Sequence, residues 1–485
     1  MADIATRAAR GTLLYAAAHG ALTVSGFVTA LLLARGLGPA DYGVYGIVYS
    51  FLLAIELIGR FGIPQAVSRL VAETGGSARA LEATGVTLTA VVYAAIFVAF
   101  LLAAPLVAAL FEVPDGAFLF RVAALDIPFY GLFFVVSHIL NGRRDFAGEC
   151  SAIVVYAVAR TIGIAILCAG TPTVAGALLV NAVSSALALA VASRRVGVAV
   201  FRPRLLDRST ILRLALPIAV ATTGNLLVAS IDLWALNAFG DAVPRTVKGV
   251  YTAAVTLARM PNLLAFVMSA VLLPSVARAI GMGDAATAQR AVRGALRFMA
   301  ILLLPTVLLV AVESGPLLDL MFSEAYGDGA ALLTVLVFAH GLGGTLLATM
   351  TIVLIAAGSE RGSAVVALAA SGVALVVDGL AAHLFGAAGA AWGALVTTAG
   401  ALAATAMIAG LRIGGLIEPG VVLRVLLAAV AVASAAALIP SRGAGLLVEL
   451  GGLAVVYLGL LWPLGVLRRE DLGVVLPGRA PVAGR

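Results

Sequence analysis

Apolar residues run from end to end of the chain in stretches of about twenty, separated by short polar breaks. About twenty mainly apolar residues in a helix cross the hydrocarbon of a bilayer, so each stretch predicts a transmembrane helix. Six stretches come first, near 11–34, 43–62, 84–111, 117–141, 149–169 and 173–193. A basic linker carrying Arg194, Arg195, Arg202, Arg204 and Arg208 follows, and then a second six, near 211–238, 247–275, 293–314, 329–357, 362–385 and 389–411. Two more, near 421–440 and 444–467, precede a basic tail from Arg468 to Arg485. The expected fold is an all-α integral membrane protein of about fourteen transmembrane helices. Its parts are a six-helix bundle over 1–193, a cytoplasmic linker over 194–210, a second bundle over 211–411, two additional helices within 412–467, and a cytoplasmic tail over 468–485. The first stretch follows Arg7 and Arg10 as in a signal peptide, but no convincing cleavage site precedes Arg35, so it reads as a retained helix.

A repeat makes the bundles pseudo-symmetric. Gly43-Val44-Tyr45 opens the second stretch and Gly249-Val250-Tyr251 the eighth, while Val67-Ser68-Arg69 and Val276-Ala277-Arg278 follow those stretches. A P-L-x-x-x-x-F pattern closes the third stretch at Pro105–Phe111 and recurs at Pro316–Phe322. An even number of crossings between copies gives both halves the same orientation, related by an axis along the membrane normal, and transporters built this way bind substrate between the halves. Segments 64–82 and 275–297 carry helical spacing and basic residues, and read either as amphipathic interfacial connectors or as solvated loops.

Composition excludes a water-soluble fold. The chain has 485 residues, of which 62% are hydrophobic and 11% charged, against roughly half and a quarter in soluble domains. The net charge of +7 is dispersed among short loops, which argues for membrane topology and against nucleic acid. With the N-terminus inside, the inner loops hold Arg69, Arg79, Arg143, Arg144, the 194–213 cluster, Arg278, Arg290, Arg293, Arg297, Arg361 and Arg412. The outer loops hold few basic residues, so both termini are expected on the cytoplasmic side of the plasma membrane. Cys150 and Cys168 share one apolar stretch and supply neither a disulfide framework nor zinc-like spacing. Enzyme signatures such as H-E-x-x-H or a P-loop do not occur, so no catalytic activity, cofactor or metal is expected.

Ionisable side chains inside the stretches are the functional pointers, because hydrocarbon makes them costly. The first stretch aligns Thr12, Tyr15, His19 and Thr23; the second aligns Tyr45, Tyr49, Glu56 and Arg60, with Glu56 and Arg60 in ion-pair order. The seventh aligns Asn225 with Asp232 after Pro217, and the eighth aligns Thr252, Thr256, Arg259, Asn262 and Ser269. Asp126, Arg160 and Asp378 are further intramembrane charges. Each also has a bland reading: Arg160 and Asp378 as structural pairs, His19 and His340 as hydrogen-bonded packing residues, Arg35 and Arg60 as snorkelling side chains. Arg259 is the sharpest, lying far from both ends of its stretch beside Pro261, and arginine suits an anionic cargo because its planar fork grips phosphate at two points.

The run A-R-G-L-G-P-A-D-Y-G-V-Y beginning at Ala34, the later G-I-P-Q-A-V-S-R-L-V-A-E and the L-P-S-V-A-R run at 273–278 resemble the polysaccharide-biosynthesis and oligosaccharide flippase proteins of the multidrug, oligosaccharidyl-lipid and polysaccharide exporter superfamily. The resemblance implies two bundles in a V, alternating access, and a lipid diphosphate-linked oligosaccharide as cargo, turned from the cytoplasmic to the outer leaflet; membrane lipids are the other expected partners, and a monomer is the expected state. It implies a cavity lined by basic residues, with Arg259 first and Arg35 and Arg60 behind it. Multidrug relatives instead couple to a cation through embedded carboxylates, a reading that Asp126, Asp232 and Asp378 keep open. A membrane-embedded glycan polymerase or ligase is the remaining alternative, although the outer loops near 112–117 and 314–328 are short for catalysis.

Overall fold

The computed structural model describes residues 2–60, 62–74, 79–113, 115–205, 208–239, 243–439 and 443–466, without the side chains of 2–16, 56–60, 216–222, 225, 226 and scattered positions between 74 and 444. Every long element among them is a helix. Helices α1 (2–37) and α2 (39–60) meet at Gly38, whose φ of 73° bends the path, and Pro39 then starts α2 with its backbone preset for a first turn. The G-L-G-P run of the sequence is this bend. After them come α3 (Ile63–Thr74), α4 (Arg79–Leu110), α5 (Gly116–Gly142), α6 (Phe146–Ala169) and α7 (Val174–Val196).

Next are α8 (Arg208–Phe239), α9 (Arg245–Ala258), α10 (Asn262–Gly281), α11 (Ala285–Val312), α12 (Ser314–Met321) and α13 (Glu324–Ala356). Helices α14 (360–385) and α15 (387–413) join at Gly386, with φ of 59°, and α16 (Pro419–Ala436) and α17 (Ala444–Leu461) complete the order. Nine of these, taking each bent pair as one, are long and apolar enough to cross a bilayer among the described residues, and α8 and α17 contain shorter apolar helices. With each bent pair counted as two and the α9–α10 pair as one crossing, the helices match the expected set of about fourteen. Leu102 and Leu106 on α4 are 77% and 73% exposed, a face that only lipid can satisfy.

The connector segments divide. Residues 63–74 form α3, an amphipathic helix whose Ile63, Ala66, Val67 and Val71 are buried while Arg69 and Glu73 pair outside at 2.9 Å. Residues 275–297 form no separate connector. Gly283, with φ of 74°, turns the chain between α10 and α11, and the Asp284 carboxylate caps α11 by accepting from the Thr287 N–H at 2.9 Å. The tail 468–485 lies outside the described residues.

Contacts divide the chain into two compact units: Met1–Thr256 with Ser359–Ala401, and Leu257–Gly358 with Leu402–Arg485. This division does not fall at the 194–210 linker. In the first unit, α2 and α9 approach backbone to backbone at the repeated motif itself: a Cβ on Gly43 would lie 2.8 Å from the Gly249 nitrogen, and one on Gly249 would lie 1.6 Å from the Pro39 oxygen. Small residues allow such approach where no hydrophobic drive separates lipid from protein. Helix α8 is tied to α2 by the Trp234 indole, which donates to the Ser50 hydroxyl at 2.9 Å and stacks on Phe51.

One ion pair knits this unit together. Arg143, in the turn after α5, grips Glu82 of α4 with two hydrogen bonds of 2.6 Å and also donates to the Val196 carbonyl. The hydrogen bond to Glu82 holds the Arg143 guanidinium above its usual range against the effect of burial. Glu82 is 2% exposed and Arg143 30%, so Glu82→Gln is expected to cost about 2 kcal/mol, the lower end for a broken buried pair after discounting solvent, and to lower the midpoint of thermal unfolding. An unchanged midpoint would show the pair to be idle.

Candidate functional site

Among the described residues, polar clusters lie inside the helices, four of them around ionisable residues singled out in the sequence. In the first unit, Asp126 of α5 is fully buried and accepts from the side-chain amide of Asn181 on α7, and that residue's carbonyl accepts from the Tyr156 hydroxyl of α6 at 3.2 Å. Three helices thus share one chain of hydrogen bonds ending on a carboxylate. Such a chain locks helices together and also carries a proton where the carboxylate exchanges one.

The second cluster is a pair of carboxylates, one on α8 and one on α14. These helices touch where Ser371 donates to the Gly224 carbonyl at 3.2 Å. Asp232 and Asp378 are both fully buried and close enough to act on each other electrostatically. The Tyr251 hydroxyl donates to Asp232 at 2.7 Å, and Thr397 of α15 lies 3.4 Å from Asp378. Gly393 makes room for this carboxylate, since a Cβ there would stand 2.8 Å from its Oδ1. The other oxygen, Oδ2, is buried without a hydrogen-bond partner among the described residues. Two buried carboxylates that act on each other repel, which makes the pair costly to bury and a pointer to function.

Arg160 on α6 forms the third cluster. Its guanidinium lies 5.0 Å from the centre of the Tyr49 ring, Tyr49 stacks on Tyr45 at 5.3 Å, and Tyr45 on Tyr42 at 6.2 Å. The Tyr42 hydroxyl is 3.4 Å from that of Thr256. At 9% exposure Arg160 is held by an aromatic face as well as by polar partners, an arrangement that keeps a cation in a dry site.

The fourth cluster, in the second unit, surrounds Arg259. The stretch 247–275 was expected as one helix, but it breaks between Ala258 and Asn262, because Pro261 has no N–H to donate and its ring excludes the carbonyl four residues back. Arg259 sits in that break, half-buried. Opposite, α13 widens into a π-helical segment, Val337–Gly344, and Gly341 packs so closely that a Cβ would meet the Ala258 oxygen at 2.9 Å. Asn262, the first residue of α10, accepts from the Thr345 hydroxyl at 2.7 Å. Irregular backbone at membrane depth survives where protein or a water-lined cavity surrounds it, and π-bulges frequently mark functional positions.

The remaining expected residues scatter. Arg35 is exposed at the end of α1, and His19 is half-buried with Thr23 donating to its carbonyl at 3.0 Å. The side chains of Thr12, Tyr15, Glu56, Arg60, Asn225 and Ser269 lie outside the described residues. The sequence reading missed Asn181, Tyr156, Thr345 and Thr397. Asn181, an amide in an apolar helix, was the one with a visible signal; the threonines have none, since helices bury many hydroxyls on their own carbonyls.

A sequence model of the family described as polysaccharide biosynthesis protein matches residues 8–280. No curated protein matches the chain by sequence. Among solved structures, the chain superposes on a lipid II flippase MurJ in an inward closed conformation with a TM-score of 0.76 and 15% identity, covering 92% of this chain and 98% of that one. An inward-facing multidrug resistance MATE family transporter of the MOP superfamily gives 0.66 and 15%, covering 81% and 95%. A MOP superfamily transporter from Pyrococcus furiosus, whose binding pocket is described as of reverse polarity, gives 0.62 and 16%, covering 84% and 96%. The fold is that of these multi-pass membrane transporters.

Proposed function

The chain belongs to the polysaccharide biosynthesis protein family, and from that premise we propose that it turns a lipid diphosphate-linked oligosaccharide from the cytoplasmic to the outer leaflet of the plasma membrane. The observation that carries this reading is Arg259, a permanently charged side chain placed at a helix break about 21 Å along from the start of α9, at 1.5 Å per residue. A fixed cation there has a use if the cargo brings a diphosphate through. Asn262, the first residue beyond the break and in the same unit, supplies a neutral hydrogen bond for the sugars, and the isoprenoid tail stays in lipid. Stripping the headgroup of water would otherwise be prohibitive. Alternating access by the two repeat-related bundles, 1–193 and 211–411, supplies the movement. Depletion of the protein is expected to raise the lipid-linked glycan facing the cytoplasm several-fold, read as the fraction protected from an enzyme added outside; unaltered flipping after removal would sink the proposal.

The Asp232 and Asp378 pair favours cation coupling as the energy source, and the same pair is what a multidrug antiporter would use. Asp232→Asn and Asp378→Asn are each expected to abolish the dependence of transport on a sodium or proton gradient. Were they to abolish efflux of organic cations while leaving glycan flipping intact, the antiporter reading would replace the flippase.

A further inference from the structure

The second unit contains an apolar groove of about 260 Å³ that none of the clusters above uses. Its walls come from α11, α13 and the end of α15, and the segment 416–422 leading into α16 closes one side. One end is basic: Arg293 and Arg297 line it, and their positions are set by backbone carbonyls. The Nε of Arg293 donates to the Gly415 oxygen at 2.6 Å, and the guanidinium of Arg297 donates to the Val466 oxygen. Beyond them the wall of α11 is Ala300, Leu303 and Leu304, met by Leu342 and Leu346 of α13.

The direction of the groove follows from the helices. Arg293 lies eight residues after the start of α11 at Ala285, on the polar stretch that precedes its apolar run, and Leu304 is eleven residues farther on, or about 16 Å at 1.5 Å per residue. One leaflet of hydrocarbon is about 15 Å deep. On the sidedness expected from the loop arginines, the groove would start at the cytoplasmic membrane surface and descend toward the midplane. Glu418, exposed at the rim, leaves the lining with one more cation than anion.

We propose that this groove holds an anionic phospholipid of the cytoplasmic leaflet, its phosphate on Arg293 and Arg297 and one acyl chain along Ala300, Leu303 and Leu346. Basic recesses between transmembrane helices on this side recognise anionic headgroups, and an apolar trough one leaflet long matches an acyl chain. The isoprenoid tail of a glycan carrier outruns that length, which favours the membrane's own lipid over the cargo. Arginine, with its two-point grip on phosphate, is the residue type this assignment requires.

The test uses the delipidated full chain in detergent and native mass spectrometry with dioleoyl phosphatidylglycerol or dioleoyl phosphatidylcholine. One phosphatidylglycerol per chain is expected to be retained at least tenfold more strongly than phosphatidylcholine. The double variant Arg293→Gln with Arg297→Gln is expected to erase that preference, Arg293→Lys with Arg297→Lys to keep part of it, and Ala300→Trp to weaken both lipids by blocking the acyl path. Equal retention of the two lipids by the unaltered chain, which needs no variant to fold, overturns the proposal. So does mole-for-mole displacement of phosphatidylglycerol by undecaprenyl phosphate, which would give the groove to the transported lipid.

Discussion

Gly249→Val is expected to stop the protein accumulating as a folded species, with loss of the monodisperse peak in size-exclusion chromatography and of a cooperative thermal transition. The reason is steric and has no side-chain remedy. A Cβ at this position would stand 1.6 Å from the Pro39 carbonyl oxygen and 2.5 Å from its carbon, both of them backbone atoms in the first turn of α2. Flexible side chains can yield to an added methyl group, usually at 1–3 kcal/mol, whereas two helix backbones must separate along their whole contact. The expected cost is therefore above ~3 kcal/mol. Separation would also pull apart Gly46 and Thr252, where a Cβ would meet the threonine methyl at 2.4 Å. Gly400→Val is the control, because that glycine is exposed and nothing stands within 4 Å of its would-be Cβ. Equal melting of the two variants would refute the close crossing of the repeated motifs.

Arg259→Ala is expected to lower the rate of glycan flipping by about ten- to a hundred-fold, the equivalent of about 1.5–3 kcal/mol for charge-assisted hydrogen bonds to a diphosphate. Arg259→Lys should recover part of the rate, since lysine keeps the charge but loses the fork. Expression and melting should change little in either variant, because Pro261 breaks the helix whether or not arginine precedes it. The readout is flipping in proteoliposomes at matched protein density. A substantial loss of stability with no loss of flipping per folded molecule would assign Arg259 to packing and remove the main support for an anionic cargo.

Both variants bear on how far the chain explains itself. The Gly43 and Gly249 motifs were visible as a repeat about 206 positions apart, but not as a contact. Pairing of equivalent residues across a repeat depends on where its axis passes, and that depends on every helix at once. Arg259 was visible for a different reason: a charge inside an apolar run is conspicuous because hydrocarbon penalises it. Its setting was not visible, since Pro261 announces a bend without saying whether the helix kinks or ends.

What the chain decides by itself is the set of crossings and the breaks at Gly38-Pro39 and Gly386. These are local properties, because hydropathy over about twenty residues and a backbone that only glycine tolerates need no neighbours. What waited for the tertiary structure is which polar groups share a partner. Asp126 finds Asn181 and Asp378 finds Thr397 at separations of 55 and 19 residues, Arg160 finds a ladder of tyrosines on another helix, and the 337–344 segment winds as a π-helix beside the break at Pro261. In a bundle whose helices are apolar on nearly every face, no periodicity tells the lipid side from the protein side. The partner of a buried polar group is then chosen by helix rotation and close packing, which single-helix pattern does not encode.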